Sequence, residues 1–279
     1  MNEQIKFKEF LPAFIISTVI LVFIFIKTVL KQQTRLVFCD VGQGDAIYLR
    51  LRTGEDILID AGPNQQVLTC LGKYLPFYDK TIEYAFLTHP EKDHYSGYLK
   101  IIEHYHIQHF YLTATNQNDA DFTQLLHLLK AKGITPQYLY ANDYLTLNQT
   151  TKFTVLWPDK SFAQKSSLVQ KKTDLNNLSL VMGLQDNNFN LLLTGDIPTV
   201  ILERLLQKSP LRYDVLKIPH HGSKYGLNQK ILQLAEPTLA VISVGKNNLH
   251  NHPAPEVINL LQALKIKIRR TDLEGDIVF

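Results

Sequence analysis

Cysteine is nearly absent from this chain: two residues in 279, Cys39 and Cys70. A cysteine-ligated zinc site and a disulfide framework are therefore not indicated, and the redox compartment stays open. Cys39 lies in an apolar run and reads as a small buried hydrophobe. Excess charge of one sign is lacking too. A formal net charge of +3 is too small to argue for a polyanionic partner by itself. There is no Gly-x-Ser-x-Gly segment, so a serine nucleophile elbow is not expected. No internal repeat stands out. One apolar run approaches membrane length, which excludes a multi-span channel built from this chain alone.

That run is Phe10 to Ile26, uncharged and rich in Ile, Val, Phe and Leu. With Thr28-Val29-Leu30 it nears the ~20 residues needed to cross a bilayer, interrupted only by Lys27, whose amine can snorkel to the interface. No small-x-small cleavage site follows before Lys31-Gln32-Gln33-Thr34-Arg35, so a retained anchor is expected over a cleaved signal. The expected organisation is a membrane anchor over 1–35 and a catalytic domain over 36–279. Lys27, Lys31 and Arg35 after the span slightly outweigh Lys6 and Lys8 before it, a bias towards a cytoplasmic domain.

Beyond the anchor the pattern is α/β (α+β). Short apolar runs between glycine turns predict strands at Leu36–Phe38, Ala46–Leu49, Asp56–Ile59 and His109–Leu112. Phe122, Leu125, Leu126 and Leu129 sit at helical spacing, with Asp119 as N-cap and Gly133 as stop. A second strand-rich half begins at Phe153 and alternates with helices to the C-terminus. Two such halves, with helices to cover their outer faces, fit a four-layer αββα sandwich. Asp159 to Asn177 is polar and reads as a long loop carrying Lys160, Lys165, Lys171 and Lys172, a basic flap suited to phosphates.

The chemistry gathers where apolar runs end. Thr88-His89-Pro90-Glu91-Lys92-Asp93-His94 follows the strand-like Tyr84–Leu87. Leu58-Ile59-Asp60-Ala61-Gly62, Leu193-Thr194-Gly195-Asp196 and Pro219-His220-His221-Gly222-Ser223 end further runs. Imidazole nitrogen and carboxylate oxygen are good ligands for zinc-like and manganese-like ions. One turn cannot close a metal site, so these segments are expected to converge. Of the adjacent histidines, one on an extended strand end would face the metal and the other would turn away. His221 is favoured and His220 stays a candidate.

This constellation resembles the metallo-β-lactamase superfamily, whose central motif reads His-x-His-x-Asp-His. A narrower resemblance, to the hydrolase domain of the ComEC family of competence DNA-uptake proteins, covers almost everything after residue 35. It rests on Phe38-Cys39-Asp40-Val41-Gly42-Gln43-Gly44-Asp45-Ala46-Ile47 and Leu216-Lys217-Ile218-Pro219-His220-His221-Gly222-Ser223. It extends through Ser243-Val244-Gly245-Lys246-Asn247-Asn248, His252-Pro253-Ala254-Pro255-Glu256 and Arg270-Thr271-Asp272-Leu273-Glu274-Gly275. The resemblance implies zinc or manganese, one or two ions. His89 and Glu91 would serve the first ion, Asp93 and His94 the second. Asp196 would bridge them and His221 complete the shell. Asp93 and Asp196 would be the catalytic carboxylates, and Asp60 would orient a ligand histidine. It further implies DNA as substrate, an outward-facing catalytic domain and a separate channel protein as partner.

Two departures accompany the match. Glu91 stands where the superfamily has histidine, which shifts preference towards manganese or magnesium. The superfamily's middle histidine is missing, and its place reads Asp174-Leu175-Asn176-Asn177-Leu178-Ser179. Asn176 or Asn177 could hold water or substrate there. His220, His252, Lys171 and Lys172 are further candidates for substrate contact. His104, His106, His109 and His127 read as surface or packing residues, and Asp40 and Asp45 as turn formers. The same signature suits a cell-envelope hydrolase of phosphodiesters or esters, or a truncated or split family member. The departures also admit a non-catalytic metal- or DNA-binding module.

Overall fold

The computed structural model describes residues 7–30, 33–168, 174–208 and 211–279, with the side chains of 10–23 described in the first helix. Among the described residues, fourteen strands form two sheets of seven. The first six are β1 (Arg35–Phe38), β2 (Ile47–Arg50), β3 (Asp56–Ile59), β4 (Thr81–Leu87), β5 (His106–Leu112) and β6 (Gln137–Tyr138). Then come β7 (Tyr144–Thr146), β8 (Thr151–Trp157), β9 (Val181–Asp186) and β10 (Phe189–Leu193). The last are β11 (Val215–Lys217), β12 (Leu239–Ile242), β13 (Lys267–Arg270) and β14 (Ile277–Val278).

The sheet orders are β14-β1-β2-β3-β4-β5-β6 and β13-β12-β11-β10-β9-β8-β7. Each sheet has an antiparallel half and a parallel half. In the first, β3 to β6 run parallel; in the second, β10 to β13 do. Parallel strands end on a common edge, and loops at such carboxyl edges are where α/β sheets place their sites. The expected sandwich is therefore observed, with its two parallel edges available to one site.

Alternation along the strands divides the apolar residues into three cores. Leu36 and Phe38 of β1 face the inter-sheet core, while Val37 and the following Cys39 face the helices. Phe86 (0% exposed) lies between the sheets, 5.2 Å from the Phe153 ring and 5.1 Å from that of Tyr111. The outer cores sit beneath helices such as Ala120–Ala131 on one side and Thr199–Lys208 on the other. Asp119 caps the first of these as expected, its carboxylate accepting from the Asp121 and Phe122 amides.

Several expectations need correction. Cys39 and Cys70 form a disulfide, with Cα atoms 5.8 Å apart. The bond pins the end of β1 to the helix Gln66–Tyr74. The apolar patterns concealed it, because both partners sit in the helix-side core. Asp159 to Asn177 is not one long loop: it holds a helix at Lys160–Leu168 and a 3-10 turn at Leu175–Leu178. Lys160 and Lys165 ride on that helix, and Lys171 and Lys172 lie outside the described residues. The helix Tyr98–His104 precedes β5, which His106 opens.

The expected anchor run falls within a helix, Phe7–Leu30, and its described side chains, 10–23, are all exposed. Among the described residues no helix is long and apolar enough to cross a membrane, so the single transmembrane helix is not established here.

Candidate metal centre

Asp60 follows β3 in a left-handed conformation, φ 57°, and is buried. Aspartate tolerates this region better than most residues. Its Oδ1 accepts from the Thr88 amide and its Oδ2 from the Thr88 hydroxyl, each at 2.8 Å. His94 Nδ1–H also donates to Asp60 Oδ2, at 2.8 Å. The carboxylate thus ties two strand ends together and fixes His94 with Nε2 inward, the arrangement common behind metal-ligating histidines. The hydroxyl proton of Thr88 is committed to Asp60, so His89 Nδ1–H must donate to Thr88 Oγ at 3.0 Å. His89 Nε2 is then a bare acceptor, buried and without a hydrogen-bond partner; His94 Nε2 is likewise buried and has no hydrogen-bond partner.

The second sheet closes the site. Asp196 follows β10 through Gly195, whose φ of +50° suits glycine, and where an added Cβ would press on Ser179 and Thr88. The Asp196 amide donates to Ser179 Oγ at 3.1 Å. Leu180 N–H donates to Thr88 O at 2.9 Å, a direct tie across the sandwich. His220 and His221 do not continue an extended strand. Both are left-handed, with φ 50° and 51°, within a turn at Pro219–Gly222. Non-glycine residues there cost of order 1–3 kcal/mol each, so the surroundings must hold them. For His221 they do: Nδ1–H donates to Ser243 O at 3.0 Å, directing Nε2 to Asp93 Oδ2 and Asp196 Oδ2, both at 3.2 Å.

Asp93, His94, Asp196 and His221 therefore each offer a ligand atom, all within 4.8 Å of one another. Two imidazole nitrogens and two carboxylate oxygens, backed by fixed Nδ1 partners and an orphaned buried Nε2, fit a zinc- or manganese-like ion. Electrostatics agrees. Burial alone would lower the His94 and His221 pKa values, yet the surrounding carboxylates, Asp196 foremost, raise both well above the usual histidine range. Burial likewise opposes ionisation of Asp93 and Asp196, but the two histidines hold both carboxyls below their ordinary range.

The other expected residues are dispersed around this cluster. Glu91 Oε2 is 3.9 Å from His89 Nε2, on a side chain 37% exposed. Burial and the neighbouring Asp93 and Asp196 push its pKa up to about 7. Burial and His94 depress His89 to about 3. His220 is not one of the four, and its ring lies 5.8 Å from that of His252. Burial and His220 lower His252 to about 4. Asn176 is buried with Oδ1 unpartnered, while Asn177 O accepts from the Trp157 indole at 2.8 Å. Asp174 and Leu175 line, with Glu91, Lys92 and Asp93, an open cleft of about 530 Å³ in which four of the eight lining residues are acidic.

Two residues escaped sequence reasoning. Asp45 is not merely a turn former: it is buried against Lys217. Lys217 is itself 1% exposed, and also reaches Gly195 O at 2.9 Å and Asp196 Oδ1 at 3.4 Å. Burial would lower its pKa, but Asp45 and Asp196 raise it. The available signal was a single cation inside the otherwise apolar Val215-Leu216-Lys217-Ile218, since buried lysine requires a partner.

Comparison with known proteins agrees with this architecture. ComE operon protein 3 of Bacillus subtilis is 26% identical over 283 residues, covering 95% of this chain and 35% of that protein. Competence protein ComA of Neisseria gonorrhoeae is 34% identical over 125 residues, 44% of this chain and 18% of that protein. The chain thus spans about a third or less of these relatives. Among solved structures, the metallo-beta-lactamase fold protein YhfI from Bacillus subtilis superposes with a TM-score of 0.57 at 13% identity, over 88% of this chain and 100% of that one. Zinc-bound PqqB from Methylobacterium extorquens gives 0.57 at 13% identity, over 88% and 99%. Residues 39–246 match the family model for this fold, and with two seven-stranded sheets meeting at a His/Asp cluster, the chain belongs to the metallo-beta-lactamase superfamily.

Proposed function

We propose that this chain is a metal-dependent phosphodiesterase that degrades DNA in connection with DNA uptake. The observation that carries the reading is the convergence of Asp93, His94, Asp196 and His221 at the joined edges of the two sheets. The likeness to competence proteins supports DNA as the substrate. A bound divalent ion would supply a hydroxide-like water near neutral pH and offset charge on the phosphoryl oxygens. Asp93 and Asp196 orient that chemistry through their carboxylates, and His94 and His221 are fixed by Asp60 and Ser243. No serine or cysteine nucleophile is needed.

The proposed domain organisation is a membrane anchor over 1–35 and a hydrolase domain over 36–279. The disulfide supports placement on the extracytoplasmic side, since such bonds persist in oxidising compartments. The exposed apolar side chains of 10–23 support a membrane contact. A separate channel protein would then carry the imported strand.

One observation favours a second reading. The cleft beside the site presents Glu91, Asp93, Asp119 and Asp174, a wall that disfavours a polyanion until a cation is bound. A cell-envelope hydrolase of small phosphodiesters or esters would meet less repulsion. The deciding experiment is hydrolysis by manganese-loaded protein, with the Asp196→Ala variant as control. Manganese-stimulated cleavage of single-stranded DNA is expected. Intact single- and double-stranded DNA alongside cleavage of a small diester would sink the nuclease reading and promote the second.

A further inference from the structure

Lys217 lies at the end of β11 with its ammonium inside the metal centre, and it is held as an ion would be. An ammonium has three N–H donors. Three oxygens surround this one: Asp45 Oδ2, Gly195 O at 2.9 Å and Asp196 Oδ1 at 3.4 Å. No donor is left for water, and the residue is 1% exposed. Asp45 in turn lies 3.5 Å from His221 Nδ1 and 3.9 Å from His94 Nδ1, which places the ammonium's main partner behind the two ligand histidines.

The two oxygens of Asp196 therefore face different cations. Oδ2 faces His94 Nε2 at 3.5 Å and His221 Nε2 at 3.2 Å, inside the four-ligand cluster. Oδ1 faces Lys217. A carboxylate can bridge two metal ions with one oxygen for each, and here the Oδ1 that such a bridge would use is already engaged by Lys217. The other metal-capable group among the described residues, Asp45, Asp60 and His94, shares His94 with the first, and its carboxylates are engaged by Lys217 and by Thr88 and His94 Nδ1. His89 and Glu91 approach each other at 3.9 Å, but among the described residues no group of three or more metal-capable side chains includes them. The segment in place of the missing histidine offers Asn176, an amide and a poor zinc ligand.

We propose that the Lys217 ammonium is a built-in cation that replaces the second metal ion of the centre. The site then takes one divalent ion, at Asp93, His94, Asp196 and His221, with Lys217 positioning Asp196 for it. The proposal rests on the metal-hydrolase reading above and specifies how that site is charged.

The test uses the full chain, stripped of metal and titrated with manganese. Element analysis and electron paramagnetic resonance are then read together. One tightly bound ion per chain with the spectrum of an isolated ion is expected. Lys217→Ala opens a space lined by three oxygens, Asp45 Oδ2, Asp196 Oδ1 and Gly195 O. It should admit a second manganese, raising the stoichiometry from one to two and giving a spin-coupled spectrum through the Asp196 bridge. A coupled pair in the unaltered protein overturns the proposal while leaving the hydrolase reading intact. So does a Lys217→Ala protein that folds and still shows one isolated ion. Should that variant fail to fold, the spectrum of the unaltered protein decides alone. Absence of any tightly bound ion would overturn the hydrolase reading itself, and this proposal with it.

Discussion

The two sheets contribute to the centre in different ways. The first supplies Asp60, His89, Glu91, Asp93 and His94 from the ends of two adjacent strands, and most of these lie within one turn. The second supplies Asp196, Lys217, His221 and the Ser243 carbonyl from the ends of three separate strands. The first half is a local motif; the second exists only as an assembly. A motif can be legible and still inert, because its buried Nε2 atoms face nothing until the second sheet arrives. Asp196 is where the halves meet, touching His94 across the sandwich and Lys217 within its own sheet.

That division ranks the expected effects. Asp196→Ala removes the meeting point and should lower manganese-dependent turnover by about a thousandfold or more, judged by steady-state assay beside a manganese titration. Turnover within tenfold of the unaltered protein would mean that the halves function separately. Next is the Cys39–Cys70 bond, which braces the first sheet against its own helix. Replacing both cysteines by serine should cost about 3.5 kcal/mol for a loop of this length, seen in a denaturation curve. An unchanged midpoint would remove the mechanical advantage assigned to the first half.

Asp60→Asn keeps the shape of the first half but weakens the hold on His94. A fall of about 10- to 100-fold in metal affinity is expected, with little change in secondary structure. A titration curve superposable on that of the unaltered protein would show that Thr88 and packing suffice.

The pH dependence probes both halves at once, since His94 belongs to the first and His221 to the second. Both have pKa values raised by the surrounding carboxylates in the metal-free protein, whereas a metal ligand must be the neutral imidazole. Manganese binding should therefore release protons. Affinity should rise with pH by about tenfold per unit for each proton displaced. Calorimetry in buffers of different ionisation enthalpy reads that number directly. Binding without proton release would mean that the carboxylates alone hold the ion.

The smallest effect is expected at Glu91, on a half-exposed side chain at the rim of the first half. Glu91→His should raise zinc affinity about threefold relative to manganese, because imidazole suits zinc better than a harder carboxylate does. No change in either titration would place position 91 outside the ion's reach.

Asp60, His89, Asp93 and His94 were legible because strand ends and turn residues announce themselves locally. The alternation of Leu36, Val37, Phe38 and Cys39 likewise marks a strand buried on both faces, and hence a layered sandwich. Other features resisted for physical reasons. A cysteine in a core and a cysteine in a disulfide look alike when both neighbourhoods are apolar, so the Cys39–Cys70 bond needed proximity in space. His220 and His221 are indistinguishable by composition, and the left-handed turn that separates their roles is imposed by contacts such as Ser243 O. Asp45 fitted a glycine-rich turn and gave no sign of its partner.

The amino-acid sequence by itself determined the layers, the strand ends and the metal-capable side chains of the first sheet, because pattern and residue type act over a few neighbours. The tertiary structure alone decided which distant groups share the buried space around Asp196. Charge pairing out of water depends on separations of a few ångströms, and residues as far apart as Asp45, Asp196 and Lys217 acquire such separations only when the two sheets close on each other.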